Sequence, residues 1–495
     1  MRTLLCVCIQ LPLLLCSVSI MTHAATAQPT DFQDDRDLPE GWKGELIISL
    51  VGAVNQNDST AVAHFMESYV TEDFRTMAPI ERHVQVFQST YRQTGGIDFY
   101  GVRTYTPPRG QTVAIVQDRI YGGWYSLVLN FDEDEERISG INFTPARTPS
   151  EHAGDPLTEV EFVEEARRAV ERGCEHDAFS GAVLIARGDE VLFESACGEA
   201  SKRFGVPNNV DTKFNLGSMN KMFTAVAIMQ LVEEGRLGLD DTIDRYVDES
   251  WLPQEITERV TIHHLLTHTS GLGSYFNNTF MEASRALYRE LDDYKPLVAG
   301  DSLAFEPGSE FRYSNTGMFM LGVVIEAVTD QSYFDYIRKN IYEPAGMLHS
   351  DSYSMDEPVP NLAMGYIPAP ESELGWRNNL FEHVIKGGPA GGGFSTVRDL
   401  HRFARALLTG TFVAEESLAT MWTDHAGARY GYGFGISSDP AGKVVGHSGG
   451  FPGLNGNLDI FPESEHVIVV LSNYDRAASP LADHIRGLLA RVATL

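Results

Sequence analysis

Phe214-Asn215-Leu216-Gly217-Ser218-Met219-Asn220-Lys221 runs straight into an apolar-periodic helix, and that junction constrains the chain more than any other stretch. Met222, Phe223, Val226, Met229, Leu231 and Val232 recur at roughly helical spacing, and Gly235 supplies a stop. Ser218 and Lys221 therefore stand three residues apart on one face of the first turn. A serine hydroxyl is a weak nucleophile and needs a base within hydrogen-bond reach. A lysine half buried against an apolar helix has its pKa lowered, because burial penalises the ammonium form, and Lys221 can then serve as that base. The free N–H groups of the helix start offer a place for an oxyanion. Ser-x-x-Lys is frequent by chance, so the rest of the chain must decide whether this pair is chemical.

A length of 495 residues predicts two or three folded units. The formal charge of −30 argues against nucleic acid or an anionic membrane as partner and fits a solubilising acidic surface. Met1 to Ala27 reads as a signal peptide: Arg2 is the positive start, Leu4 to Ile20 is apolar, and Ala25-Thr26-Ala27 is a small-residue cleavage pattern. Gln10 and Ser17 interrupt the apolar run, which favours cleavage over an anchor, and no later stretch is long and apolar enough to span a bilayer. A secreted or periplasmic protein is expected. Of five cysteines, Cys6, Cys8 and Cys16 leave with the signal. The remaining two, Cys174 and Cys197, fit either one disulfide or two separate buried thiols.

Residues 28–147 read as a first α+β unit. Helical patterns at Glu45–Val54, from the Asn57-Asp58-Ser59-Thr60 cap cluster through Val70, and at Pro79–Thr90 precede a switch to period two. Four strands are expected at Ile97–Thr104, Thr112–Asp118, Trp124–Phe131 and Ile138–Phe143. Helices followed by a β-meander resemble the NTF2-like domains fused to secreted hydrolases. Such a unit implies a role at the substrate entrance or in a homodimer. Residues 148–157, with Pro149 and Pro156, form the linker to a second unit at 158–495.

That second unit opens with a helix over Glu159–Glu171 and strands at Ser180–Ala186 and Glu190–Cys197. It closes with strands at Asn457–Phe461 and His466–Ser472 and a helix over Leu481–Ala493. The order predicts an antiparallel sheet built from both ends of the unit beside a helical cluster. His264 and His268 have the spacing of helical metal ligands, but Leu265 stands where a metalloprotease needs Glu, and Thr269-Ser270-Gly271 ends the helix. Structural hydrogen bonding is the expectation for both. Glu306 to Asn315 is a turn that delivers Tyr313 to the mouth of a helix at Met318–Val328, and a tyrosine beside a cation can shuttle protons. Gly387 to Phe394 is glycine-rich without the lysine of a phosphate loop, so close backbone packing near a site is expected there, not nucleotide binding.

Ser218-Met219-Asn220-Lys221, Tyr313-Ser314-Asn315 and His447-Ser448-Gly449 occur in the order and at about the spacing of the S-x-x-K, Y-x-N and K-T-G boxes. Leu265 to Leu272, Pro307-Gly308 and the Gly387–Phe394 run match the filler between them. Residues 158–495 therefore resemble the serine β-lactamase-like and penicillin-binding-protein-like hydrolases, in the branch with class C β-lactamases, D-aminopeptidases and esterases. The resemblance implies an acyl-enzyme mechanism without metal or organic cofactor, acting on a small-molecule or peptide substrate. Ser218 is the implied nucleophile, Lys221 accepts its proton, and Tyr313 is the partner base. Asn315 positions Lys221 and the acyl side chain, and the N–H groups of Ser218 and Gly450 hold the oxyanion. One residue departs from the pattern: His447 replaces the usual lysine, whose fixed charge meets a substrate carboxylate, while Ser448 keeps the hydroxyl. This favours an ester or amide over a β-lactam. Two other readings compete. Gly446-His447-Ser448-Gly449-Gly450 also fits the G-x-S-x-G elbow of α/β-hydrolases, and the scaffold could be an inactive binding or sensor protein.

Overall fold

The computed structural model describes residues 31–492; the expected signal segment, 1–27, lies outside the described residues. In the first unit β1 (Asp31–Asp35) is followed by the helices α1 (Trp42–Gln56), α2 (Ser59–Tyr69) and α3 (Ile80–Thr94). The strands β2 (Ile97–Thr106), β3 (Thr112–Asp118), β4 (Trp124–Asp132) and β5 (Arg137–Pro145) then form an antiparallel meander. Asp58 caps α2 by accepting the Ala61 N–H at 2.9 Å. Leu46, Ile47, Leu50 and Val54 of α1 meet Val62, Phe65 and Met66 of α2 and the inward residues of β3 and β4 in one core. Strand β1 has no counterpart among the expected elements, because Asp-Phe-Gln-Asp-Asp lacks β propensity. It pairs with β2 at the sheet edge, where Asp34 takes two hydrogen bonds from buried Arg103 at 2.6 and 2.7 Å. A bidentate ion pair decides this strand where its own composition does not.

The second unit begins with α4 (Glu159–Glu175), opened by a Thr158–Glu161 capping box. Strands β6 (Gly181–Arg187) and β7 (Glu190–Cys197) come next. The helices α5 (Asn220–Glu233), α6 (Asn315–Thr329) and α7 (Val397–Leu408) lie between these strands and the closing ones, β8 (Gly435–Asp439), β9 (Gly442–Phe451), β10 (Leu454–Phe461) and β11 (His466–Ser472). Helix α8 (Ala478–Leu489) ends the unit. The sheet order β8-β9-β10-β11-β6-β7 joins the two ends of the unit, antiparallel throughout. Alternation along buried strands divides the core. Leu184, Val467, Val469 and Leu471 face α5 and the helical cluster, while Val183, Ile185, Ile468 and Val470 face Phe162 of α4 and Leu481 and Ile485 of α8. A disulfide joins Cys174, near the end of α4, to Cys197, the last residue of β7. Among the described residues no helix is long and apolar enough to cross a membrane.

Most element boundaries shift by a few residues from those read in the sequence, and three of the differences bear on the site or on the end of the chain. Helix α6 starts at Asn315, since Ser314 caps it by accepting the Gly317 N–H at 2.8 Å. Strand β9 continues through Gly446-His447-Ser448-Gly449-Gly450 despite its glycines, because its neighbours leave no room for side chains; a Cβ on Gly446 would lie 1.8 Å from the Leu458 carbonyl oxygen. The last helix spans Ala478–Leu489, and Ala493 lies outside the described residues.

The first unit meets the second at the turn after β3, and Arg82 and Arg92 of α3 also face Asp475 of the second unit. Asp118 accepts the N–H groups of Tyr121 and Gly123, both at 2.6 Å, and so presents the Tyr121 ring to Phe162, Ala166, Ala169, Val170 and Phe179. Gly173 of α4 makes room: a Cβ there would fall 2.6 Å from Tyr121 Oη. Arg172 Nε donates to the Ile120 carbonyl at 2.8 Å. The docking turn thus sits on the α4 and α8 layer, across the sheet from α5. Tyr121→Ala is expected to lower the unfolding free energy by about 3 kcal/mol, by analogy with other buried aromatic truncations. Tyr121 Oη is buried without a hydrogen-bond partner, so Tyr121→Phe should leave stability equal or higher; urea titration of the two variants side by side checks both expectations.

Candidate active site

Ser218 lies on a single 3-10 turn, Gly217–Met219, immediately ahead of α5. Gly217 takes a φ of +51°, a region open to glycine. A Cβ there would come within 3.0 Å of the Gly450 amide nitrogen, and one on Gly449 within 1.9 Å of the Leu216 carbonyl oxygen. The backbone of β9 therefore lies directly against the serine turn, which sets the amides of Ser218 and Gly450 close together. The glycine-rich segment clamps the same turn from another side. Leu216 N–H donates to the Gly393 carbonyl at 2.7 Å, and Gly392 N–H donates to the Gly217 carbonyl at 3.0 Å. Asn220 adds a donor to the Gly388 carbonyl and an acceptor for the Gly393 N–H.

Lys221 is completely buried. Its Nζ donates to Asn315 Oδ1 at 2.9 Å and to the Ala390 carbonyl at 2.5 Å, and it lies 4.8 Å from the centre of the Tyr313 ring. Burial without a carboxylate partner holds its pKa well below the ordinary lysine value of 10.5. A neutral amine has two N–H bonds and one lone pair. Both N–H bonds have acceptors here, so the lone pair is the part left over to take a proton from a hydroxyl.

Tyr313 reaches the site because Ser314 fixes the chain entering α6. The Ser314 hydroxyl donates to the Gly273 carbonyl at 2.8 Å, and its N–H donates to His268 Nδ1 at 3.1 Å. The His268 ring packs 4.3 Å from the Tyr313 ring, centre to centre. Burial pushes the Tyr313 phenol pKa upward, and the facing Ser218 side chain pulls it back in part. That contact falls short of a fully formed hydrogen bond. Tyr313 is thus held protonated, and it can relay a proton but cannot begin as a base.

His447 does not replace the missing lysine. Its Nδ1 lies 2.5 Å from the Ser448 carbonyl, which can only accept, so Nδ1 carries the hydrogen. Nε2 must then accept from the buried Tyr430 hydroxyl at 3.0 Å. Both ring nitrogens are committed within the protein. Burial pushes its pKa down to about 3. His268 is likewise buried and held neutral. Its neighbours are Tyr313 and Tyr430, whereas His264 Nδ1 accepts the Thr261 N–H at the start of its own short helix. Among the described residues no group of three His, Cys, Asp or Glu side chains could hold a metal ion.

Ser218, Lys221, Tyr313, Asn315, His447 and Gly450 are thus brought into one neighbourhood. Ser448 is half-buried in mid-strand opposite Asn457 of β10, and the chain beyond it turns into another strand. A nucleophile elbow needs a strand-to-helix turn there, so Ser448 is not one. Sequence reasoning missed Tyr430, Ser274 and the Ala390 carbonyl as site components. Tyr430 lies in no motif box, and a backbone carbonyl has no sequence signature. Ser274 enters as the hydroxyl that accepts from Asn315 Nδ2 at 3.3 Å.

A serine three residues before a buried lysine of lowered pKa, with the Gly450 strand backbone pressed against the serine turn, has the make-up of a serine acyl-transfer site on a mixed α/β scaffold. Comparison with known proteins agrees. The Beta-lactamase family model matches residues 162–492, and the chain belongs to that family. It is 33% identical to penicillin-binding protein 4* of Bacillus subtilis (strain 168) over 334 residues, 63% of this chain and 73% of that protein. The structure of a penicillin-binding protein from Bacillus halodurans superposes with a TM-score of 0.59 at 29% identity, covering 67% of this chain and 99% of that one. A D-stereospecific amidohydrolase from Streptomyces sp. superposes with a TM-score of 0.52 at 25% identity, over 63% of this chain and 94% of that one. The protein is a serine hydrolase of this family.

Because the base must be neutral, kcat/KM for an uncharged ester is expected to rise with pH through one ionisation well below 10.5 and then level off. His447, neutral above about 3, adds no inflection near neutrality. Lys221→Arg puts a permanent cation in the same place and should lower kcat by about a thousandfold, the scale of a lost general base. A pH–rate series on the wild type and this variant checks both expectations.

Proposed function

We propose that the protein is a secreted or periplasmic serine hydrolase that forms an acyl-enzyme on small esters or amides, D-amino-acid amides included, with β-lactams at best slow substrates. The carrying observation is His447, neutral and with both ring nitrogens committed. It offers neither charge nor hydrogen-bond donor to a substrate carboxylate, the group that the usual lysine would hold. In this reading Ser218 Oγ attacks the carbonyl carbon and its proton passes to the Lys221 lone pair. The oxyanion sits between the N–H groups of Ser218 and Gly450. Collapse breaks the bond to the leaving group, which takes the proton from Lys221 by way of Tyr313. Water then attacks the acyl-enzyme along the same route in reverse. Asn315 holds Lys221 in register throughout. Ser448 and Gly449 lie beside the oxyanion pair on β9 and would border the bound substrate.

The Cys174–Cys197 disulfide supports an oxidising compartment. The first unit reads as an NTF2-like accessory module. Its docking on the α4 and α8 layer favours a pairing role, such as a homodimer, over one at the entrance. Labelling with a serine-reactive phosphonate followed by peptide mapping tests the chemistry. The expected adduct is on Ser218 and is lost in Lys221→Ala. An ester, D-amino-acid amide and penicillin panel tests the substrate. Efficient penicillin hydrolysis abolished by Ser218→Ala overturns the ester and amide assignment. No adduct and no turnover on any substrate would instead identify an inactive binding scaffold.

A further inference from the structure

Two separate clusters of rings flank Ser218. One is the set already described: Tyr313, His268, Tyr430 and His447, in mutual contact around Lys221. The other has no part in the mechanism. Phe451 follows Gly450 directly at the end of β9, and its ring lies 5.3 Å from that of Phe276. Phe276 is two residues beyond Ser274, whose hydroxyl accepts from Asn315. On its other side Phe451 meets His383 edge-on at 5.0 Å. His383 in turn supports the glycine-rich clamp, since a Cβ on Gly392 would fall 2.8 Å from His383 Cε1. Three chain segments that each touch the serine turn or its lysine clamp thus converge on one aromatic wall. Phe276 and Phe451 are both half-buried, so part of each ring remains open. His383 is buried and held neutral, its pKa pushed down to about 4 by burial, and the wall carries no charge.

The two clusters differ in what part of a substrate they can meet. The proton for the leaving group comes through Tyr313, so the leaving group departs on the Tyr313 side. The acyl group keeps its oxygen at the Gly450 N–H through both steps, and the residue beside Gly450 is Phe451. We propose that Phe276, Phe451 and His383 form an uncharged aromatic subsite that receives an apolar acyl group, aryl or branched alkyl, of the ester or amide attacked by Ser218. This rests on the acyl-enzyme reading above and adds the acyl preference to it. Open aromatic faces beside a few fixed polar groups are the usual lining of a small-molecule site.

The test compares p-nitrophenyl phenylacetate with p-nitrophenyl acetate, which share a leaving group. The wild type should prefer phenylacetate, and Phe451→Ala and Phe276→Ala should each lower the phenylacetate-to-acetate ratio of kcat/KM by about tenfold, the scale of a lost apolar pocket contact. Phe451→Leu keeps apolar surface and should retain most of the preference, which guards against a variant that merely folds badly. An unchanged ratio in both alanine variants overturns the proposal. Turnover of both esters that survives Ser218→Ala would instead sink the nucleophile assignment, so the two failures are read from different variants.

Discussion

Everything at this site depends on the burial of one amine. Lys221 lies in the first turn of a helix whose residues from Asn220 to Met229 are all buried, and no carboxylate meets it. Its two partners, Asn315 Oδ1 and the Ala390 carbonyl, are neutral acceptors. An ammonium in such surroundings is penalised by desolvation with little Coulombic compensation, so the pKa falls well below the ordinary lysine value. The partners come from distant parts of the chain, the start of α6 and the glycine-rich segment. The fold must therefore close before the base exists. A carboxylate in place of Asn315 would restore the charge and remove the base without disturbing the shape of the site.

The same reasoning explains why so many glycines crowd this region. The serine turn is pressed by β9 on one side and the clamp on the other, at distances where a single Cβ would collide with backbone. Gly217, Gly391 and Gly449 are required by that close approach, and Gly217 also by its positive φ. Close approach is what places the Gly450 amide beside the Ser218 turn. The disulfide, the α4–α8 layer and the docked first unit all lie on the other face of the sheet and act on the site only through the sheet.

Much of this was legible in the sequence. The order of helices and strands, the closure of one sheet from both ends of the unit, and the meeting of Ser218, Lys221, Tyr313 and Asn315 follow from periodicity and three ordered boxes. What escaped depends on long-range contacts. Strand β1 exists because Asp34 pairs with Arg103, sixty-nine residues away. The run Gly446–Gly450 forms a strand through its pairing with β10, with neighbours that exclude a side chain at Gly446 and Gly449, whereas local glycine content argues for a loop. Tyr430 matters only through the tautomer it imposes on His447, seventeen residues away. The substitution of histidine for lysine was visible as a letter. Its chemical meaning was not, since a histidine exposed near acidic groups could have stayed cationic.

Taken together, the groups around Ser218 share one property: desolvation sets the protonation state of each. The two histidines are held neutral as bases, Tyr313 is held neutral as an acid, and the pKa of Lys221 is held well below its ordinary value. With Lys221 deprotonated, the groups around the serine carry no formal charge, although the whole chain is strongly acidic. Attack then creates a charge pair, an oxyanion at the backbone N–H groups and an ammonium at Lys221, where none existed before. Donors fixed in the backbone cost no reorganisation when that charge appears. The Tyr313 ring offers that ammonium its π face. A permanent lysine charge in the third box would raise the energy of that ammonium by repulsion. A neutral His447 removes this repulsion and with it the means to hold a substrate carboxylate, which is the physical basis of the proposed preference for uncharged acyl donors.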